Sequence, residues 1–272
     1  MSSPKQVIVS GGFDDLRSRD LRFLEEAAKL GELSVLLWSD TTLQKLTGQP
    51  PNFSLAERRY FLDAVRYVSN VIEADGSAGF NSLPKGLHPD LWADCEATAS
   101  SAREKFAAEN KIAYRAFTAK ELDGFPEPPP MPSAPGRKRV VATGCYDWFH
   151  SGHVRFCEEA SAYGDLYVCL GSDANVRLLK GEGHPLLSQE ERRYAVSSIK
   201  FVKQALITTG SGWVDADPEI RRLQPDIYVV NEDGDKGGKR EYCQSLGIEH
   251  LVLKRTPAPG LPKRSSSGLR GF

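Results

Sequence analysis

The sequence predicts an α/β protein made of two tandem parallel-sheet domains, and three observations carry that reading. Short apolar, β-branched runs alternate with segments of helical spacing, the pattern of a parallel sheet covered on both faces. Setting Val7 to Gly48 against Val140 to Gly181 at a constant offset of 133 makes 17 of 42 pairs identical, so the chain contains a duplication. Between the copies, Pro126 to Pro135 holds six of the seventeen prolines, which favours an extended, semi-rigid polyproline spacer. Domains are therefore expected at residues 1–124 and 138–272, joined by a linker at 125–137.

The second copy gives the clearest element order. Val140 to Thr143 reads as a short buried strand, His153 to Tyr163 has helical spacing, and Leu166 to Leu170 is a second strand. Ser188-Gln189-Glu190-Glu191 resembles a capping box that opens a helix running toward Ile199. Phe201 to Thr208, Asp226 to Val230 and Ile248 to Leu253 supply further strands, and Lys239 to Leu246 is a helix between the last two. In the first copy the shared positions include Gly11/Gly144, Asp14/Asp147, Arg22/Arg155 and Ser39-Asp40/Ser172-Asp173. After a one-residue shift, Glu57-Arg58-Arg59-Tyr60 faces Glu191-Arg192-Arg193-Tyr194.

Composition narrows the function classes. Lys plus Arg is 35 and Asp plus Glu is 36, a net charge of −1, so no global field draws the chain to nucleic acid or to an acidic membrane surface. Any anion site must be local. Hydrophobic content of 40% with 26% charged residues describes a globular chain of 272 residues, and no apolar run reaches the length of a membrane span. Met1 to Gln6 lacks the apolar core of a signal peptide, and the five cysteines show no CxxC spacing. A cytoplasmic protein with reduced thiols and no structural zinc is expected.

The chemistry is concentrated where the first strand of the second copy ends, at Gly144-Cys145-Tyr146-Asp147-Trp148-Phe149-His150-Ser151-Gly152-His153. Gly144 allows close backbone approach, Gly152 lets the chain turn, and both histidines fall near a helix N-terminus, where backbone N–H groups favour an anion. A phosphate site follows, suited to charge developing on a phosphoryl group. Asn231 and Glu232 follow a strand and so lie at the ligand edge of the sheet, as base or acceptor contacts or as part of an acidic turn. From His250 to Phe272 there are five Lys or Arg residues and no Asp or Glu, a cationic, hydroxyl-rich segment able to cradle a polyphosphate.

These residues resemble the HxGH signature of the nucleotidyltransferase superfamily, in particular its cytidylyltransferase-like group, over Val140 to Arg270. The resemblance implies a Rossmann-like domain in each copy, packed as an intramolecular pseudo-dimer, an arrangement similar to the tandem copies of ethanolamine-phosphate cytidylyltransferase, with further homo-oligomers left open. It gives Gly144, Tyr146, Asp147 and Phe149 to nucleotide binding, and it makes Lys180 the loop lysine directed at phosphates. Glu191, Arg192 and Val196 match the ERxxxV helix, which makes Arg192 a further base or acceptor contact. Lys254-Arg255-Thr256 and Lys263-Arg264-Ser265-Ser266-Ser267-Gly268-Leu269-Arg270 resemble a split RTxGIST motif. Arg255, Thr256, Arg264, Ser265, Ser266, Ser267 and Arg270 would then hold the nucleotide.

Two departures stand out. The run Pro257 to Pro262 lengthens the motif's usual spacing, and the chain stops at Phe272, so a helix opening at Ser265 is expected to be very short, as in a truncated chain.

The resemblance implies transfer of a nucleoside monophosphate to a small phosphorylated or phosphonate acceptor, with His150, His153 and Lys180 as catalytic groups. Arg255-Thr256 favours CTP, and ATP stays open because adenylyltransferases share the HxGH chemistry. No protein metal site is expected, since Mg2+ would arrive with the nucleotide phosphates. In the first copy His150 becomes Arg17, Gly152 becomes Arg19, His153 becomes Asp20 and Lys180 becomes Thr47, so that copy is expected to keep the fold and lose the chemistry. A regulatory ligand at Arg17 and Arg19 is the rival reading for it. For the whole chain the rivals are a nucleotide-binding regulatory protein and a relative of class I aminoacyl-tRNA synthetases, the latter lacking a basic surface.

Overall fold

A computed structural model describes residues 4–74 and 83–269, and divides the chain into two compact units, Met1–Gly124 and Phe125–Phe272. The first contains β1 (Gln6–Gly11), α1 (Ser18–Ala28), β2 (Glu32–Trp38), α2 (Asp40–Thr47), α3 (Leu55–Ala64), β3 (Asn70–Ala74), β4 (Leu91–Cys95), α4 (Ser101–Glu109) and β5 (Ala113–Phe117). Its five strands are parallel, in the order β3-β2-β1-β4-β5.

The second unit contains β6 (Arg139–Gly144), α5 (Ser151–Ser161), β7 (Asp165–Leu170), α6 (Asp173–Lys180), α7 (Gln189–Ser197), β8 (Val202–Ile207), α8 (Asp217–Leu223), β9 (Ile227–Asn231), α9 (Lys239–Leu246), β10 (Glu249–Leu253) and a short α10 (Ser266–Leu269). Its parallel strands run β10-β9-β6-β7-β8, the same order as in the first unit. Val140, Val141, Ala142, Leu166, Val168 and Leu170 are fully buried, because helices cover both faces of the central strands. Each valine or leucine among them contributes about 1.5 to 3 kcal/mol relative to an exposed one. Strand order reverses between β6 and β9, which opens a crevice beyond their carboxyl ends. Thr143 and Gly144 end β6 there.

The boundaries shift for physical reasons. The helix expected from His153 begins at Ser151, because His150 serves as its cap. Ser188 accepts from the Glu191 N–H and opens α7 as its spacing predicts. Lys180, expected in a loop, is the last residue of α6, where the left-handed Gly181 stops the helix. The helix α8 escaped the sequence reading because Pro218 obscured it, although proline suits the first turn of a helix.

The proline-rich segment lies against the second unit. The Met131 N–H donates to the Lys203 carbonyl at 2.9 Å, Ser133 binds Asp165, Arg193 donates to Glu127 at 2.8 Å, and the Phe125 ring packs on Tyr194 at 5.7 Å.

A buried arginine organises each unit in the same way. Arg192 is fully buried and donates to the carbonyls of Leu187 (3.1 Å), Cys145 (2.7 Å) and Gly171 (2.8 Å) and to Asp173 (2.7 Å). Arg58 donates to the carbonyls of Phe53, Gly12 and Trp38 and to Asp40 at 2.6 to 3.0 Å, the equivalent positions in the first copy. Arg192, expected as a base or acceptor contact, is placed by the fold inside this network, where it pairs carbonyls that a loop-rich sheet edge would otherwise leave without donors.

Candidate active site

The loop after β6 is built on a left-handed Tyr146, φ 54°, mirrored in the first unit by Phe13, φ 47°. Asp147, 2% exposed, accepts from the Leu186 and Leu187 N–H groups at 2.6 and 3.2 Å and lies 3.2 Å from the His184 ring. Asp14 does the same for Asn52 and Phe53 in the first unit. Tyr146 and Phe149 are buried, and their rings lie 5.3 Å from that of His153. Tyr146, Asp147 and Phe149, expected to touch nucleotide, are buried by the turn, where they support the loop and the histidine.

The two histidines are fixed by the helix they open. His150 Nδ1 accepts from the Gly152 N–H at 3.1 Å, and His153 Nδ1 accepts from the His150 N–H at 3.3 Å. These reciprocal bonds satisfy N–H groups that the first turn of a helix cannot pair internally. They also fix the tautomer: a neutral ring that accepts at Nδ1 carries its proton on Nε2 and donates there. The ring centroids are 4.0 Å apart. A side chain on Gly152 would meet the His150 ring at 2.9 Å, so only glycine lets that ring fold back on its own helix.

His153 is held well below the ordinary histidine pKa, first by burial, then by His150, Arg255 and Lys180. Lys180 and Arg255 therefore act on the same imidazole, although they come from the end of α6 and from beyond β10. The C-terminal segment closes the group. Ser266 Oγ donates to the Trp148 carbonyl at 3.2 Å, and the Arg264 carbonyl accepts from Arg255 at 2.9 Å. The Pro257 to Pro262 run forms a turn, with the Leu261 N–H on the Ala258 carbonyl, that returns Arg264 to Arg255.

Asp233 holds the Arg255 guanidinium, and Glu232 accepts from the Arg255 N–H at 3.4 Å. Glu232 thus serves as an anchor of the basic segment. Asn231 lines a narrow recess with Gly152, Arg255, Thr256 and Arg264, and its buried Oδ1 has no partner among the described residues. Ser265 caps α10 through the Gly268 N–H. The side chain of Ser267 and all of Arg270 lie outside the described residues.

A larger recess of about 140 Å³ opens beside this site, lined by Thr143, Trp213, Asp215, Tyr228, Lys239 and Tyr242 among others. Sequence reasoning missed all six. Its legible signal was an aromatic in the glycine-rich stretch Gly210-Ser211-Gly212-Trp213, directly after a strand at the ligand edge of the sheet.

Residues 141–270 match the cytidylyltransferase-like family model. FAD synthase from Ferroglobus placidus is 35% identical over 120 residues, which are 43% of this chain and 75% of that protein. The chain belongs to the cytidylyltransferase-like family. The bifunctional protein HldE from Wolinella succinogenes is 41% identical over 135 residues, 49% of this chain and 26% of that one. The chain thus spans about a quarter of the length of that relative. Among solved structures, the lipopolysaccharide core biosynthesis protein from Thermoplasma volcanium GSS1 aligns at 24% identity, with a TM-score of 0.38, over 45% of this chain and 99% of that one. Among the described residues, no helix of this cytidylyltransferase-like protein is long and apolar enough to cross a membrane.

The first unit keeps the cap and changes its chemistry. The Arg17 N–H donates to Asp20 at 2.8 Å, the bond that His150 makes to His153 in the second unit, and the Arg17 guanidinium is paired with Asp15. Burial raises the Asp20 pKa, partly offset by the Arg17 N–H bond. Asp20→Ala is expected to cost about 0.5 to 2 kcal/mol of stability, as for other N-terminal cap losses, and to leave pyrophosphate release unchanged. A tenfold drop in turnover would instead give the first unit a part in the chemistry.

Proposed function

We propose that the second unit transfers a nucleoside monophosphate, from CTP in preference to ATP, to a small phosphorylated or phosphonate acceptor and releases pyrophosphate. The acceptor's phosphate oxygen attacks the α-phosphorus in line, a new O–P bond forms, and the bond to the β-phosphate oxygen breaks. The attacking oxygen is already anionic, so no base is required. What carries the reading is the histidine pair pinned by the start of α5 as two Nε2–H donors, with Lys180 and Arg255 acting on the same imidazole. Such donors stabilise charge that develops in the transition state.

Lys180 neutralises acceptor and α-phosphate charge, while Arg264 and the serine segment hold the β and γ phosphates. Mg2+ is expected to arrive with the nucleotide, carried on its phosphate oxygens. When bound, the ion neutralises phosphate charge. Arg255-Thr256 supports CTP. The FAD synthase relative, by its name, makes a product that carries an adenylyl group, which keeps ATP as the second donor.

Because His153 accepts the His150 N–H at Nδ1 and burial holds its pKa well below the ordinary value, it meets the phosphates as a neutral Nε2–H donor. Calorimetry of CTP and ATP at neutral pH, in buffers of different ionisation enthalpy, is expected to show tight binding with no proton taken up by His153. Pyrophosphate release across a panel of phosphate and phosphonate acceptors should follow. A nucleotide Kd and a turnover both unchanged in His153→Asn remove the histidine from the phosphate site.

A further inference from the structure

The two central strands part at the same point in each unit. Among the described residues β1 pairs with β4 only at Val7–Leu91 and Ile8–Trp92, and β6 pairs with β9 only at Val140–Ile227 and Val141–Tyr228. Beyond those pairs each sheet opens a crevice where its strand order switches, the place at which open α/β sheets hold ligands. The offset of 133 sets Ser10 against Thr143, and the shared register sets Trp92 against Tyr228. In the second unit the hydroxyls of Thr143 and Tyr228 close on each other at 2.6 Å. In the first unit that bond is missing. Trp92 Nε1 and Ser10 Oγ are both buried, and neither has a partner among the described residues.

Asp94 continues the wall of the first crevice. It lies two residues beyond Trp92 on the same face of β4 and is 1% exposed, where the second unit has the apolar Val230. The Arg103 guanidinium neutralises it, and the Tyr114 hydroxyl donates to its Oδ2 at 2.6 Å. Burial, then the bond to Asp94, raises the Tyr114 pKa, so Tyr114 stays a donor to that carboxylate, whose remaining lone pairs can only accept. The Phe106 ring stands edge-on to Trp92 with centroids 6.2 Å apart, and Leu83 and Leu87 pack against the same cluster.

Buried polar atoms without partners cost free energy that a guest recovers. An indole N–H can only donate, a carboxylate can only accept and a hydroxyl does either, so the guest must present an acceptor beside a donor. Asp94 and Arg103 cancel in charge, and Asp15 and Asp20 stand at the α1 cap that follows β1, which favours a guest without a phosphate. Aromatic and aliphatic walls suit a flat heterocycle. Cytosine and adenine fit, since each carries a ring nitrogen next to an exocyclic amino group. Uracil and hypoxanthine carry an oxygen in place of that amino group, and the oxygen would face Asp94.

We propose that the first unit holds a nucleoside site of its own in this crevice, where Trp92 and Ser10 bind the ring acceptor of a cytosine or adenine and Asp94 binds its amino group. The site is built wholly from residues of the first unit, so it goes beyond the transferase reading and does not depend on it.

Equilibrium dialysis of the full chain against labelled cytidine, adenosine, uridine and inosine tests this. Cytidine is expected to bind at least about tenfold more tightly than uridine, or adenosine than inosine, the scale of one unmade buried hydrogen bond. Trp92→Phe keeps a ring and removes the N–H, Ser10→Ala removes the hydroxyl, and each should raise the Kd about tenfold. Asp94→Asn offers an amide N–H to a carbonyl oxygen and should narrow or reverse the preference, a change that a purely structural role would not produce. Melting temperatures report whether each variant is folded, and the small Ser10→Ala change keeps the test open should Trp92→Phe unfold.

Retention of none of the four nucleosides leaves water as the guest and overturns the proposal. Equal binding of the amino and oxo members of both pairs does the same. Binding that is unchanged in Ser10→Ala and in Trp92→Phe belongs to the second unit and also overturns it.

Discussion

Replacing His153 by asparagine is expected to leave the second unit folded and to lower turnover about 10²- to 10³-fold, the usual effect of removing one preorganised donor from a developing oxyanion. Asparagine is the informative choice. The first unit shows that a short carbonyl-type oxygen can take over the capping bond, since Asp20 accepts from the Arg17 N–H where His153 accepts from that of His150. Alanine would remove cap and donor together and blur the two losses. The measurements are the melting temperature and the steady-state rate of pyrophosphate release. A folded variant at the wild-type rate takes the imidazole out of the chemistry, and a variant that melts far below the wild type reduces it to a capping group.

The second large effect falls on a fully buried arginine that ties the loops of the second unit together. Arg192→Met is expected to cost about 3 to 5 kcal/mol, because removal of the buried guanidinium leaves the carbonyls of Leu187, Cys145 and Gly171 without their donor, while Asp173, 34% exposed, turns to water. That corresponds to a fall in melting temperature on the order of 10 °C for a unit of this size. Arg58→Met makes the matching change in the first unit and is expected to cost a similar amount, with Asp40 and its own three carbonyls left behind. Thermal unfolding of both variants decides the matter. If Arg192→Met melts normally but loses turnover, the arginine belongs to the reaction after all.

Much of this architecture was legible because periodicity and repetition carry it. The offset of 133 made the two sheets visible before any strand was assigned, and both units do share one strand order. His150, His153, Lys180 and Arg255 were legible as types in sequence order, and His153 feels the other three. Burial was not legible. Arg192, Asp147, Tyr146 and Phe149 sit in the same motifs as the reactive groups, and only the fold shows that their polar atoms or rings are turned inward to hold the loop. The Trp213 recess was also hidden, because its walls come from β6, α8, β9, α9 and the connecting turns, residues separated by up to about a hundred positions in the chain. Spacing rules report what one helix or strand brings together, and this recess is assembled by topology alone.

The docked proline-rich segment has a consequence for assembly. An outermost strand of a sheet ordinarily exposes a row of amides that can recruit a strand from another molecule and so seed aggregates. At Lys203 on β8 that invitation is withdrawn, because Met131 of the same chain already bonds its carbonyl, and prolines on either side lack the N–H groups that would continue a ladder. Strand addition at that carbonyl would first have to displace Met131, which makes this stretch of β8 a poor template for another chain.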